Sequence, residues 1–391
     1  MSIRIKSIEV KNFKSLVDFH LDLAKFSCLI GLNGSGKSTV LQFMDFLAQL
    51  VRGGMSGWLK QRHWQRSELT SSLSSKRVIK FCARFEDHKG RPVGSWEATY
   101  DPDANRCTKE TISLEDSVLE TTDHEVKIQY PGKGSKSSEI TFSYRGSILS
   151  SLKEDLLPPL ILNCKRFFLQ TESLELLTPE RLRHRTREAQ GSLGHGGLNL
   201  SAFIYELDPK ELAALVEKLK SKYLQLERVY AWPIPSGWKE LRIREKFDNA
   251  SIRTKAAHVN DGLLRVIAIL AELASAHDLL LFDEIENGIN PELVEFVTDA
   301  LVKARQQVLV TTHSPMILNY LDDDVARKGV IYLYRTRQGH TKSIPFFSIP
   351  SLREKLAVMG PGEAFADTNL TELAAEIATM GKEEAQHVLP P

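Results

Sequence analysis

The stretch Gly31-Leu32-Asn33-Gly34-Ser35-Gly36-Lys37-Ser38-Thr39 satisfies the pattern G-x-x-x-x-G-K-[ST], and it constrains the fold because it demands a strand before it and a helix after it. Glycines let successive backbone N–H groups point into one concavity, where the Lys37 ammonium reaches β- and γ-phosphates and the Ser38 hydroxyl ligates Mg²⁺. The flanks comply. Phe26 to Ile30 reads as a short buried strand, and Val40, Leu41, Met44, Leu47, Ala48 and Val51 recur at helical spacing until Gly53-Gly54 ends the helix. Strand, glycine loop and helix N-terminus in that order make a site for a nucleoside triphosphate.

A second segment supplies acid chemistry. Asp278 to Glu284, reading D-L-L-L-F-D-E, is an apolar strand ending in two carboxylates: Asp283 placed to hold Mg²⁺ and Glu284 to polarise the attacking water. Asn287 to Pro291 then turns, with Asn290 and Pro291 as N-cap and first residue of the next helix. The following strand, Gln307 to Thr312, ends at His313-Ser314-Pro315, where a histidine can reach a γ-phosphate. Between the two halves, Val259 to Arg265 opens an apolar helix. Asn260 or Asp261 reads there either as a simple N-cap or as part of a signature motif that meets the γ-phosphate of a second subunit.

Phosphate loop, signature-like helix, D-E pair, E-N-G-x-x-P turn and T-T-H-S-P together resemble the ABC-type ATPase heads of the SMC, RecF and OLD group, over roughly residues 1 to 60 and 255 to 345. The resemblance implies an α/β P-loop NTPase of ABC type: a mixed β-sheet flanked by helices, with an antiparallel β lobe and a helical insertion. It implies two heads sandwiching two ATP molecules. Matching positions make Glu284 the general base and His313 the switch histidine, and place Asn33, Gly34, Ser35, Gly36, Lys37, Ser38, Thr39, Asn260 and Gly262 around ATP. Ser38 and Asp283 become the Mg²⁺ ligands. Strand-like Leu160 to Asn163 leads to Gln170, read either as the Mg²⁺-completing Gln of a Q-loop or as an ordinary exposed Gln; Lys14, in Phe13-Lys14-Ser15, resembles a basic residue near nucleotide. Two positions depart from the group: Asn260 stands where serine is usual, and Asn290 where histidine is frequent.

The rest is bounded more coarsely. A net charge of +1 supplies no global attraction for nucleic acid, so any DNA contact must be local. Cys28, Cys82, Cys107 and Cys164 show no C-x-x-C spacing, the N-terminus lacks an apolar leader, and the longest apolar stretch, Leu263 to Ala276, is interrupted by Arg265 and Glu272. A cytoplasmic protein without membrane contact is the expectation. The 246 residues from Lys37 to Asp283 require an insertion, giving an ATPase N-terminal part (1–76), an antiparallel β lobe (77–150), a helical insertion (151–250) and an ATPase C-terminal part (251–391). Within them, 131–138 reads as a loop, Glu139 to Tyr144 as a strand, and Pro209 to Arg228 as a helix. Arg181, Arg183, Arg185 and Arg187 read as a solvated basic face or a phosphate-touching loop; Asp322 and Asp324, which mimic a nuclease D-x-D, read as loop residues. Helices are expected from Ser351 and Thr371, and Ala385 to Pro391 as a frayed tail. The expected partners are a second copy through the ATP sites and an effector encoded nearby, with DNA as an alternative ligand. RecF-like DNA clamping or an OLD-type nuclease are the alternative functions.

Overall fold

In the computed structural model, residues 3–175, 177–369, 372, 373, 376 and 377 are described. Alternating apolar residues fold the N-terminus into a hairpin of β1 (Ile3–Phe13) and β2 (Leu16–Asp22), and the all-buried β3 (Phe26–Ile30) runs into the glycine loop and the helix Lys37–Arg52. A meander follows: β4 (Ile79–Asp87), β5 (Pro92–Asp101), β6 (Arg106–Leu114), β7 (Ser117–Thr121), β8 (Glu125–Tyr130) and β9 (Gly134–Glu139). Then come β10 (Thr171–Leu174), a trio of β11 (Leu226–Pro233), β12 (Lys239–Phe247) and β13 (Ala250–Lys255), and finally β14 (Leu279–Phe282), β15 (Gln307–Thr311), β16 (Val330–Arg335) and β17 (Thr341–Pro345).

Among the described residues these strands form three sheets: an antiparallel one in the order β2-β1-β4-β5-β6-β7-β8-β9, a mostly parallel one in the order β10-β14-β15-β3-β16-β17, and the small β11-β12-β13 sheet. Alternation along the parallel strands decides the layers. Leu279, Leu281 and Leu309 join a core with the antiparallel sheet and helix Lys37–Arg52, whereas Leu280, Phe282, Val308 and Val310 join a second core with helices Asp261–Leu273 and Pro291–Val302. A sheet buried on both faces needs such unbroken apolar strands.

Buried Gln307 latches the two large sheets together: its Oε1 accepts from Ile5 N at 2.9 Å, and its Nε2 donates to Ile5 O at 2.8 Å and Ala24 O at 3.0 Å. Gln307→Ala strands these backbone groups in the interior, so urea unfolding should show a loss of about 3 kcal/mol, with nucleotide-loop residues untouched. Glu110 is a second buried polar centre, accepting from Trp96 Nε1 at 2.8 Å, Ile148 N at 3.0 Å and Ser147 Oγ. Burial pushes its carboxyl up to about 6 despite those donors. The folded protein therefore holds this proton where the unfolded chain has lost it. Stability from this group is full below its ordinary value of 4.5 and is lost as pH rises to about 6, by about 2 kcal/mol. Unfolding titrations of Glu110→Gln should lack that segment of the wild-type slope.

Several sequence expectations are corrected. Leu160 to Asn163 is helical, inside Pro159–Leu169, because Pro159 sits at the first helical turn and Ile161, Cys164 and Phe168 share one buried face. Residues 134–138, expected as loop, form with Glu139 the strand β9, a fully exposed edge strand whose polar sequence carries no apolar signal; beyond Glu139 the expected strand to Tyr144 does not continue. The β lobe is not separate from the N-terminal part, since β4 pairs with β1. The helix from Pro209 stops at Lys220, and the supposed helical insertion gives way to β11 at Leu226. Asp322 and Asp324 are the N-cap and first turn of the helix Asp323–Gly329 rather than loop residues. The C-terminal side has β16 and β17 around Gly339 and helices Pro350–Lys355 and Pro361–Ala366. The expected helix start at Thr371 and the tail from Ala385 lie outside the described residues. No helix among the described residues is long and apolar enough to cross a membrane.

Candidate functional site

β3, β14 and β15 are neighbours, so their C-terminal ends bring the glycine loop, Asp283-Glu284 and His313 to one edge of the parallel sheet. The loop's glycines are obligatory at two positions. Gly31 (φ +145) and Gly36 (φ +108) occupy left-handed backbone, and a Cβ would lie 2.3 Å from Leu333 O at the first and 2.4 Å from Thr341 Oγ1 at the second. Thr341 on β17 clasps the loop, its hydroxyl donating to Ser35 O at 3.0 Å and accepting from Ser15 Oγ at 2.8 Å. Helix Lys37–Arg52 starts with no side-chain cap and no acidic residue in its first turn, which leaves its N-terminal N–H groups for an anion. Leu32, Asn33, Gly34 and Ser38 are exposed, Thr39 half-buried and Ser35 buried. Lys37 donates to Gly31 O at 2.8 Å and Leu32 O at 3.2 Å. Burial lowers its pKa, while Asp283, Glu284 and Glu286 oppose that.

Thr311 organises the acidic pair. Its hydroxyl donates to Asp283 Oδ1 at 2.6 Å and accepts from Glu284 N at 2.8 Å, and Ser38 Oγ donates to the same Asp283 oxygen at 3.3 Å. Adjacent hydroxyl and carboxylate oxygens are the hard donors that suit Mg²⁺, so this pair fits the ion. Glu284 itself sits at φ +47, a left-handed conformation held for a non-glycine residue by these bonds. Asn287 Nδ2 donates to Glu284 Oε2 at 3.4 Å, and His313 Nε2 lies 3.9 Å from Glu284 Oε1. His313 is anchored through its backbone N–H to Glu286 Oε1 at 2.8 Å.

Gln170 is misplaced as a metal ligand. It caps helix Pro159–Leu169, and its carbonyl accepts from Asp278 N, at the start of β14. β10 runs parallel to β14, so Gln170, level with Asp278, lies about 17 Å from Asp283, five residues of strand rise away. Glu175, just past β10, is the residue that arrives there, with Asp283 N donating to Leu174 O at 3.5 Å. Glu175 pairs with Arg62 at 2.9 Å; burial raises its pKa, opposed by Arg62. Arg62 also pairs with Asp45 at 2.9 Å on helix Lys37–Arg52. Lys14 belongs to the same wall: its ammonium donates to Gln42 Oε1 at 3.0 Å, lies 3.1 Å from the Trp64 ring centroid, and is lowered to about 8 by burial.

Asn260 is an N-cap, its Oδ1 accepting from Leu263 N at 2.8 Å. It is also exposed, and so is the 287–288 turn beside it. Arg265 donates to Asn287 O, and a Cβ on Gly262 would approach Gly288 O at 3.3 Å, so the signature-like helix and the turn after the acidic pair form one surface. No contact joins Asn260 or Gly262 to the phosphate loop of the same chain among the described residues. The basic run is mostly engaged internally: Arg181 donates to His195 O, Arg183 to Val259 O and Asp261, and Arg185 pairs with Glu240. Thr311, Glu286, Glu175 and Thr341 were missed from sequence; the doubled Thr311-Thr312 at the end of an apolar strand was the available signal for the first.

A family model described as "AAA ATPase domain" matches residues 3–230, and a second AAA-domain model, described with a Type IV TA system, matches 203–319. A curated relative, the OLD nuclease of Thermus scotoductus, is 30% identical over 82 residues, which span 21% of this chain and 14% of that protein's length. Among solved structures, an SMC head bound to the C-winged helix domain of ScpA aligns at TM-score 0.50 and 16% identity, covering 87% of this chain and 96% of the other. An SMC head with coiled coil and joint from Pyrococcus yayanosii aligns at TM-score 0.48 and 10% identity, covering 88% and 97%. The chain belongs to the AAA ATPase domain family, with the fold of an ABC-type ATPase head like that of SMC.

Proposed function

We propose that this chain hydrolyses ATP with Mg²⁺, and that two copies engage head to tail around the nucleotide to control a partner effector. The convergence of Ser38, Asp283, Thr311, Glu284 and His313 at one sheet edge carries the reading. Loop N–H groups and Lys37 hold the phosphates. Ser38 and Asp283 hold Mg²⁺, which when bound neutralises charge on the β- and γ-phosphate oxygens. Glu284 takes the proton of the attacking water, and His313 donates a hydrogen bond to the γ-phosphate. Exposure of Asn260, Asn287 and Gly288 beside half-buried Gly262, as one surface apart from the chain's own phosphate loop, supports a site completed by a second head. Gln170 has no part in it.

A role in the cytoplasm, in anti-phage defence beside a separately encoded effector, extends this reading from the likeness to the OLD group. The two carboxylates that mimic a nuclease, Asp322 and Asp324, open a helix instead of ending a strand, which favours an effector supplied by another chain.

Subunit mixing tests the shared site. Lys37→Ala and Gly262→Asp should each be inactive alone. Their mixture should regain about a quarter of the wild-type ATPase rate, because half the dimers are mixed and each has one intact site. A mixture as dead as its parts would exclude a site built from two heads.

A further inference from the structure

Nothing in the ATP machinery uses the small sheet β11-β12-β13, and its outer face is unusual. Residues 226–255 hold seven Lys and Arg against four Asp and Glu, a local excess of three in a chain whose total is +1. Strand pairing sorts those charges. Tyr230, Arg242 and Lys255 lie opposite one another in one row, and Arg228, Arg244 and Arg253 in the next. Their neighbours Val229, Leu241 and Ile243 point the other way into the core, so the two rows share the outward face. Three guanidinium groups in one cross-strand row repel. Only Arg244 has an acidic partner in that row, Glu227 at 3.7 Å, and no ion pair involves Arg228 or Arg253 among the described residues. A folded sheet that keeps such a row is suited to an anionic ligand.

Aromatic rings border the same face. Trp232 at the end of β11 and Trp238 before β12 are 49% and 38% exposed. Each carries a cation: Arg242, which also pairs with Glu240, lies 5.3 Å from Trp232, and Arg187 lies 5.0 Å from Trp238. Exposed rings interleaved with arginines are what unstacked bases on a phosphate backbone need: the cations take the phosphates and the rings take the base faces. A duplex keeps its bases stacked and offers the rings nothing, and an acidic peptide would satisfy the arginines but not the rings. We infer that the outer face of β11-β12-β13, with Trp232 and Trp238, is a docking surface for single-stranded nucleic acid. It leads directly to Asn260 through the 256–258 turn.

Fluorescence anisotropy on the full chain, without nucleotide, tests this with labelled oligo-dT and oligo-U of about 20 nucleotides, a hairpin duplex and poly-glutamate. Binding of either single strand is expected, with the tighter one identifying the sugar. Three phosphate contacts give a slope of log K against log salt of about −2. The exposed pair Arg228→Glu with Arg253→Glu should weaken binding at least about tenfold, and Trp232→Ala by about tenfold through lost stacking. Both variants should bind ATP like the wild type, which separates a lost surface from a lost fold and from any failure of the ATPase reading. The inference is overturned if single strands do not bind at low salt, if the charge-reversed variant binds them unchanged, or if duplex or poly-glutamate binds as tightly and ignores Trp232→Ala.

Discussion

Glu284→Gln is expected to hydrolyse ATP at least about a hundredfold more slowly than the wild type while binding it as well, the usual contribution of a positioned general base. The geometry makes this substitution selective. Glu284 is held by its backbone N–H to Thr311 Oγ1 and by Asn287 Nδ2 to its Oε2, and a glutamine of the same shape keeps the first bond and the left-handed φ of +47. What it loses is the ability to accept a proton. A strained backbone at a residue facing its phosphate loop is the kind of local cost, about 1 to 3 kcal/mol, that persists where surroundings over-determine it. Single-turnover assays separate the two effects, since retained ATP with no phosphate release is the expected pattern. Equal slowing of binding and hydrolysis would place Glu284 in nucleotide retention instead.

Gly36→Ala should abolish ATP binding, with Kd raised by about two orders of magnitude or more, while the neighbouring Gly34→Ala costs much less. Both glycines have positive φ, so both replacements bear backbone strain of about 1 kcal/mol. Space tells them apart. The added methyl at Gly36 would lie 2.4 Å from Thr341 Oγ1 and 2.9 Å from its Cγ2, whereas at Gly34 it meets nothing within 4 Å. Thr341 cannot retreat without releasing Ser35 O and Ser15 Oγ, so the loop must move and its N–H groups lose their common focus. Isothermal titration with ATP and Mg²⁺ on both variants checks the contrast. Equal losses would assign the effect to backbone freedom alone.

The phosphate loop, the acidic pair and the histidine were legible because each couples a residue-type demand to a local order of strand, turn and helix. The same order fixes their meeting, since parallel neighbouring strands end on one side. Gln170 failed for the complementary reason. Leu160 to Leu169 is apolar enough to read as a strand, but Pro159 and an i, i+3, i+7 buried face make it a helix, and the strand begins only after Gln170. Glu175 then takes the place by the Asp283 end, a position set by parallel pairing between segments over a hundred residues apart. The β9 edge and the small sheet were obscure because their outward residues are polar and charged, while the sheet's inward Val229, Leu241 and Ile243 are too few to outweigh them. Arg181 to Arg187 looked like one free basic run; in the fold Arg181, Arg183 and Arg185 face different acidic and carbonyl partners, and the cationic surface that Arg187 borders lies mainly on strands that no local run announces.

Light scattering after size exclusion on Glu284→Gln, with and without ATP and Mg²⁺, tests the central claim most directly. The account predicts that ATP takes the 44.1 kDa chain to twice its nucleotide-free mass in this variant and leaves Lys37→Ala unchanged. ATP bound at full occupancy with no change of mass would contradict it.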